Sequence, residues 1–176
     1  MPGWKTEGMR QARPHDLTKI AVNIAELQKR LRPEDTLLDV GCCEGHLFDY
    51  LRHKHYTGID LFHKHIAEAR LARPEARFRV MDLFDLEGQW DVVWCSRVLL
   101  HIPRFEEAVA KLKSCARRYC ILVIPMTVES KCVVQREESD GVVYHRTFST
   151  EQVMATGPSQ ILKYPNAQYR TVIYEF

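Results

Sequence analysis

The spacing of apolar residues divides the chain, as far as Pro125, into alternating helices and strands. Apolar residues at three- and four-residue intervals predict a helix from the N-cap residue Asp16 to Leu31, with Pro33 just beyond its end. Short, continuous apolar runs predict five strands, over 36–40, 56–60, 77–82, 90–96 and 119–125. Helical spacing predicts three further helices, over 47–51, 66–72 and 105–115.

These strands are apolar along their whole length rather than at alternate positions. Such strands are buried on both faces, and a repeated strand–helix order places them parallel in one sheet. The predicted fold class is therefore α/β, a doubly wound and mostly parallel sheet.

The pattern changes after Pro125. Residues 127–141 are polar and predicted to be rich in loops, and a short strand is predicted over 142–148. Ser149 and Gln152 have the spacing of a helix cap, which predicts a helix over 149–157. The segments 161–164 and 168–176 predict a C-terminal antiparallel hairpin at one sheet edge. Residues 16–176 are interpreted as one domain, and residues 1–15 as an N-terminal segment, either a lid or a disordered tail.

Composition excludes several classes of partner. The 176 residues are 45% hydrophobic and 27% charged, as in soluble globular proteins, and the net charge of +2 gives no signal for nucleic acid. No apolar run is long enough to span a membrane, and no secretory signal is recognisable. The six cysteines form no CxxC pair, and two of them lie in apolar runs, as free buried thiols do. These features predict a reducing, cytoplasmic location.

Polar residues follow each of the first four strands, where an open α/β sheet binds its ligands. The first strand leads into Gly41-Cys42-Cys43-Glu44-Gly45, a turn that would direct backbone N–H groups at a ligand. The second ends in Asp60, which could accept hydrogen bonds from two ribose hydroxyls, and the third in Asp82, which could take an adenine amino group. Ser96 and Arg97 close the fourth. With Asp39 near the end of the first strand, three acids in matching places indicate a nucleoside-containing cofactor.

The sequence at these strand ends resembles the class I S-adenosylmethionine-dependent methyltransferases. "LLDVGCCEGHL" resembles their first motif, D/E-x-G-x-G-x-G, with Cys43 in place of the middle glycine. "YTGIDLF", "FRVMDLFDL" and "WDVVWCSRVLLHIPRFEEAVAKL" resemble the three following strands. The resemblance covers roughly residues 16–125 and implies a Rossmann-like fold that binds S-adenosylmethionine. The cofactor-binding residues that it implies are Asp39, Gly41, Cys42, Cys43, Gly45, Asp60, Leu61, Phe62, Asp82, Leu83 and Ser96.

Methyl transfer from a sulfonium needs positioning above all, so the sequence need not carry a catalytic signature. His101 and Arg97 follow the fourth strand and are the candidate catalytic residues, with a structural or gating role for His101 as the alternative. The segment "CSRV" lacks the (D/N)PP(Y/F) motif of amino-group methylases that act on DNA bases. A small molecule is therefore the expected acceptor; a protein acceptor, and a homodimer that completes the pocket, stay open.

Two alternatives remain open at this stage. A nicotinamide-dependent dehydrogenase also has an acid that binds ribose after a glycine loop, but no Tyr-x-x-x-Lys pair follows here. The second alternative is a non-catalytic methyltransferase-like scaffold. In such a protein, Cys43 would mark a loop that no longer has to bind the cofactor. Cysteine there costs little if its φ is negative and about 1 kcal/mol if φ is positive.

The histidines His53, His55, His63 and His65 flank the second strand. A strand of this length separates the two pairs by about 15 Å, so no metal site is expected from them. His63 is instead a candidate for contact with the adenine edge.

Overall fold

The structure, a computed structural model, describes residues 21–136, 142–164 and 169–176. Its strands are β1 (Leu37–Val40), β2 (Tyr56–Asp60), β3 (Arg77–Val80), β4 (Trp90–Ser96), β5 (Ala116–Pro125), β6 (Lys131–Arg136), β7 (Val142–Thr147), β8 (Gln160–Leu162) and β9 (Tyr169–Glu175). Its helices are α1 (Ala21–Arg30), α2 (His46–Leu51), α3 (His63–Ala72), α4 (Phe105–Ser114) and α5 (Thr150–Met154), with 3₁₀ turns at Leu83–Asp85 and Leu99–His101. The predicted segment 1–15 and the Asp16 cap lie outside the described residues.

Seven strands form one sheet in the order β3-β2-β1-β4-β5-β9-β8. Strands β1 to β5 are parallel, β9 is antiparallel to β5, and β8 is antiparallel to β9. The chain order reverses between β1 and β4, which is where an open sheet forms its ligand crevice. This sheet confirms the predicted Rossmann-like, doubly wound fold and its C-terminal antiparallel pair.

Alternate residues of the central strands pack into two cores, one on each face of the sheet. Leu38, Val93 and Cys95 join one core, and Leu37 and Trp94 join the other. The helices α4 and α1 cover these two faces with apolar residues that are fully or almost fully buried. Burial on both faces explains why these strands are continuously apolar in sequence.

The prediction of a loop-rich 127–141 is wrong for its central part. Lys131–Arg136 is strand β6, which pairs antiparallel with β7 in a separate two-stranded sheet. The strand lies outside the main sheet, in a largely polar stretch of the sequence, so it lacks the continuous apolar run used to predict the other strands. The predicted strand over 142–148 and the capped helix after it are confirmed, since Ser149 Oγ accepts the Gln152 N–H at 3.1 Å.

Candidate active site

The loop between β1 and α2 depends on two glycines for its shape. Gly41 and Gly45 have φ values of +74° and +82°, in the left-handed region that favours glycine. A Cβ on Gly41 would lie 2.1 Å from Val98 Cγ2, and a Cβ on Gly45 would lie 2.6 Å from the Phe78 ring. The two glycines therefore allow both the turn and the close approach of neighbouring strands.

Cys43, between these glycines, also has a positive φ, of +49°. Of the two cases considered for this residue, the strained one applies, with a cost of about 1 kcal/mol for a side chain in this conformation. The turn is held because the Cys43 N–H donates to Asp60 Oδ2 at 2.9 Å. Burial raises the pKa of the Cys43 thiol well above its usual range, so the side chain carries a proton at neutral pH.

Cys42 faces the other way, into the core. Its side chain is buried, and its sulfur lies where a Cβ on Gly58 would approach it to 2.8 Å. Gly58 on β2 thus makes room for this thiol. The backbone N–H groups of Gly41 and Cys42 both donate to the Ile59 carbonyl oxygen, at 2.8 and 3.0 Å, so the contribution of Cys42 at the loop comes from its main chain.

Asp60 connects the first loop with the second. Its Oδ2 accepts from the Cys43 N–H, and its Oδ1 accepts from the Phe62 N–H at 2.9 Å. The residue is 6% exposed, yet each carboxylate oxygen has a second lone pair for another donor. A pair of hydroxyl groups on a bound ribose has the complementary donors.

Asp39, at the end of β1, is buried behind the loop. The Tyr56 hydroxyl donates to Asp39 Oδ2 at 2.5 Å. Burial raises the pKa of Asp39 to about 7, the hydrogen bond from Tyr56 opposes that rise, and the nearby charge of Asp60 adds to it. Asp39 therefore changes its protonation state near neutral pH.

The end of β3 carries the residues predicted at the adenine. Asp82 Oδ1 accepts the Phe84 N–H at 3.0 Å and so caps the turn Leu83–Asp85. Leu83 is buried, whereas Leu61, after β2, is 44% exposed. The Met81 N–H donates to the Asp60 carbonyl oxygen at 2.9 Å, which places this turn next to the end of β2.

The end of β4 is fixed against the glycine loop through Val98. Arg97 has a φ of +58°, and its guanidinium lies 5.9 Å from the centre of the Tyr169 ring. Ser96 Oγ is buried and has no hydrogen-bond partner within the described residues. An unpartnered hydroxyl next to a ligand crevice is a candidate for contact with a bound molecule.

His101 follows in the 3₁₀ turn and contacts β7. Its Nδ1 lies 2.8 Å from the Tyr144 carbonyl oxygen, and a carbonyl can only accept, so Nδ1 carries the hydrogen. Burial lowers the pKa of His101, against the hydrogen bond to Tyr144, which raises it. The neutral ring then has its lone pair on Nε2, as a general base requires.

Glu44 and His65 were missed by sequence reasoning. His65 Nδ1 lies 3.8 Å from Asp60 Oδ1, and its Nε2 lies 3.7 Å from Glu44 Oε1. The Asp60 carboxylate raises the pKa of His65, against the opposing effect of burial. Glu44 itself is 8% exposed. The available signal was weak, because it consisted only of a histidine in the first turn of the helix after Asp60 and an acid between two loop glycines.

The other histidines lie apart from this cluster. His53 and His55 precede β2 and lie at the end opposite to Asp60, where His53 Nε2 is 2.6 Å from the Asp35 carbonyl oxygen. His63 is exposed at the start of α3. In the part of the chain that the structure describes, no helix has the length and apolar character to cross a membrane.

The strand order, the glycine loop and the acids at the ends of β1, β2 and β3 define a methyltransferase architecture. The chain belongs to the class I S-adenosylmethionine-dependent methyltransferase superfamily, and residues 38–124 match the family described as "Methyltransferase domain". A ubiquinone biosynthesis O-methyltransferase from Pseudomonas paraeruginosa is 31% identical over 113 residues, which cover 58% of this chain and 47% of that protein. The chain thus spans about half the length of this curated relative.

Solved structures agree on the fold. The magnesium protoporphyrin IX methyltransferase of Synechocystis, with bound S-adenosylmethionine, is 21% identical with a TM-score of 0.65, over 90% of this chain and 78% of that one. The 1,6-didemethyltoxoflavin-N1-methyltransferase of Burkholderia thailandensis is 20% identical with a TM-score of 0.64, over 90% and 76%. At these identities the likeness concerns the fold.

Proposed function

We propose that the protein transfers the methyl group of S-adenosylmethionine to a hydroxyl group of a small molecule. The observation that carries the proposal is the Asp60 carboxylate, which is held by N–H groups of two loops with lone pairs left over. The preformed position of this carboxylate suits the two ribose hydroxyls of the cofactor, and Asp82 and Leu83 lie at the adjacent strand end for its adenine.

The methionine part of the cofactor is assigned to the glycine loop and the end of β4. The loop leads into α2 and contains Gly41, Cys42, Cys43 and Gly45, and Asp39 precedes it on β1. When bound, S-adenosylmethionine supplies an electrophilic methyl group on a positively charged sulfur. The buried carboxylates of Asp39 and Asp60 suit a cationic ligand.

His101 is assigned as the group that receives the proton of the acceptor hydroxyl. Its Nδ1–H is fixed on Tyr144, which leaves Nε2 as the acceptor, and its lowered pKa keeps the ring neutral near pH 7. Arg97, at the strand end two residues before Leu99–His101, would orient an anionic group of the acceptor.

Hydroxyl methylation of a small molecule is supported by the name of the Pseudomonas relative, an O-methyltransferase. The neighbours named above act on a tetrapyrrole and on a toxoflavin precursor, which are small molecules as well. A cytoplasmic location and a homodimer remain predictions from the sequence.

The test combines titration calorimetry with S-adenosylhomocysteine and an activity assay on a panel of phenols and catechols. We expect wild-type protein to bind, and Asp60→Ala to weaken binding by about 1 to 3 kcal/mol, the cost of losing a buried acceptor. Asp85→Ala, which removes an exposed acid from the neighbouring turn, should bind like wild type. Binding without turnover of any phenol would overturn the choice of acceptor. Absence of binding at millimolar ligand would favour the non-catalytic scaffold.

A further inference from the structure

Three side chains with different donor atoms meet beside the glycine loop. A carboxylate oxygen of Asp60, a ring nitrogen of His65 and Sγ of Cys43 all lie within 4.8 Å of one another. They come from three elements, namely the end of β2, the first turn of α3 and the loop after β1. The sulfur belongs to Cys43, which occupies the middle position of the loop, where the methyltransferase motif has glycine.

The cluster is polar, partly buried and incompletely hydrogen-bonded. His65 Nδ1 is inaccessible to solvent and has no hydrogen-bond partner in the described residues, although it lies 3.8 Å from Asp60 Oδ1. Glu44 Oε2 is likewise buried without a hydrogen bond there, although His46 Nε2 lies 3.7 Å away. Buried polar atoms without partners indicate a missing ligand, since most such atoms in folded proteins are paired.

The orientation of His65 matches that of a metal-bound imidazole. Nδ1 faces Asp60, and Nε2 faces Glu44 Oε1 at 3.7 Å. Histidines that bind metals commonly donate the second ring N–H to a carboxylate, which fixes the tautomer and strengthens the ligand. Glu44 is in the position to play this supporting part, and a small rotation would close the distance to a hydrogen bond.

We propose that Cys43 Sγ, His65 Nδ1 and a carboxylate oxygen of Asp60 form a Zn²⁺ site beside the glycine loop. Thiolate, imidazole and carboxylate are the ligands that zinc prefers, and three of them leave a fourth, tetrahedral position for water. Bonds of about 2.0 to 2.3 Å place tetrahedral ligands roughly 3.4 to 3.8 Å apart, so side-chain shifts of about 1 Å suffice.

The proton balance of binding is simple. Zn²⁺ replaces the proton of the Cys43 thiol, which passes to solvent, and binds His65 in its neutral form. The site therefore binds zinc more tightly as the pH rises. The charge on Arg97 favours the Cys43 thiolate, although burial has the larger, opposing effect.

The site has a consequence for methyl transfer that rests on the proposed function. Asp60 is assigned both to zinc and to the ribose of S-adenosylmethionine, so the two ligands exclude each other. Zinc would then be an inhibitor that competes with the cofactor, and Cys43 would make this chain sensitive to it.

The experiment uses Co²⁺ as a spectroscopic probe of the whole chain under reducing conditions. Wild-type protein should give a thiolate-to-cobalt absorption band and the visible bands of tetrahedral Co²⁺, and stoichiometric Zn²⁺ should abolish them. Cys43→Gly and His65→Gln should each weaken metal binding by about 100-fold or more, because each removes a ligand. Glu44→Gln, which removes only the supporting carboxylate charge, should weaken it by about 10-fold.

Two matched substitutions serve as controls. Cys132→Ser changes an exposed cysteine on β6, and His55→Gln changes an exposed histidine at the opposite end of β2. Both should keep the bands. Cys43→Gly also restores the glycine of the motif at a positive φ, so this variant should fold at least as well as wild type.

The outcomes separate this site from the proposed function. No cobalt bands, or bands that survive Cys43→Gly, would overturn the zinc site whether or not S-adenosylhomocysteine binds. Bands that require Cys43 and His65, in a protein that does not bind S-adenosylhomocysteine, would support the zinc site and contradict the proposed function. Simultaneous binding of both ligands would overturn the shared role of Asp60.

Discussion

The two sides of the ligand crevice are built in different ways. On the proposed cofactor side, at the ends of β1 to β3, neighbouring loops hold each other: the Cys43 N–H donates to the Asp60 carboxylate and the Met81 N–H to the Asp60 carbonyl oxygen. On the proposed acceptor side, the turn after β4 is held by the distant strand β7. There His101 contacts the Tyr144 carbonyl oxygen, and the Arg146 guanidinium donates to the Ile102 carbonyl oxygen at 3.0 Å.

This difference explains what each side can tolerate. A loop that is shaped by positive φ angles and backbone hydrogen bonds restricts the residue types that can occupy it. A turn that is held by a separate two-stranded sheet can change as that sheet changes, while the main sheet stays the same. The proposed acceptor side is therefore where we expect specificity to vary, whereas the residue types of the glycine loop are what the superfamily shares with this chain.

The largest effect that separates the two sides is expected for His101→Gln. Loss of the general base should lower the rate of methyl transfer to a phenol by about 10²- to 10⁴-fold, with the affinity for S-adenosylhomocysteine unchanged, because His101 contacts β7 rather than the cofactor loops. Turnover under saturating substrate and titration calorimetry measure the two quantities. In the wild type the rate should fall as the pH drops below the lowered pKa of His101.

His145→Gln is the matched control for this change. His145 is exposed, and its ring centre lies 5.2 Å from that of His101. Its replacement should leave the rate close to that of wild type. A parallel loss of rate and of cofactor affinity in His101→Gln would show that the two sides do not function independently.

The next effect concerns stability on the cofactor side, through Gly41→Ala. The added methyl group meets Val98 Cγ2 at 2.1 Å, at a φ of +74°. Overpacking and left-handed strain together should lower the free energy of unfolding by about 2 to 4 kcal/mol. Urea denaturation measures this quantity.

Gly157→Ala separates the two causes. Gly157 has a φ of +71°, and nothing lies within 4 Å of a Cβ placed there. This variant should lose only the backbone part, about 1 to 2 kcal/mol. The same Gly41→Ala change is also made in a Val98→Ala protein, which lacks the clashing methyl groups. There it should lower the free energy of unfolding only by the backbone part. Equal losses in Gly41→Ala and Gly157→Ala would show that the loop is not tightly packed against β4.

The same contrast decides how much could be predicted from the sequence. Gly41, Asp60 and the apolar strands were predictable, because main-chain geometry and burial on both faces each demand particular residue types. Strand β6 was not, since it lies in a largely polar stretch of the sequence and pairs with β7 outside the main sheet. The meeting of His65 with Asp60 and Glu44 depends on how α3 packs beside the loop, and the spacing of residues along the chain does not specify that packing.

The smallest expected effect is a pH dependence that arises from Asp39. Its pKa is about 7 in the folded protein and near 3.8 when unfolded, so the folded state holds one more proton between these values. The free energy of unfolding should then fall as the pH rises, by about 2 kcal/mol from pH 5 to 7. Asp39→Asn should lack this contribution, whereas Asp85→Asn, at an exposed acid, should keep it.

Urea denaturation at several pH values gives the difference in the free energy of unfolding between wild type and Asp39→Asn. A difference that is flat, or that rises with pH, would mean that Asp39 is ionised in the folded protein. The loop would then hold a buried negative charge at Asp39 in the absence of the cofactor.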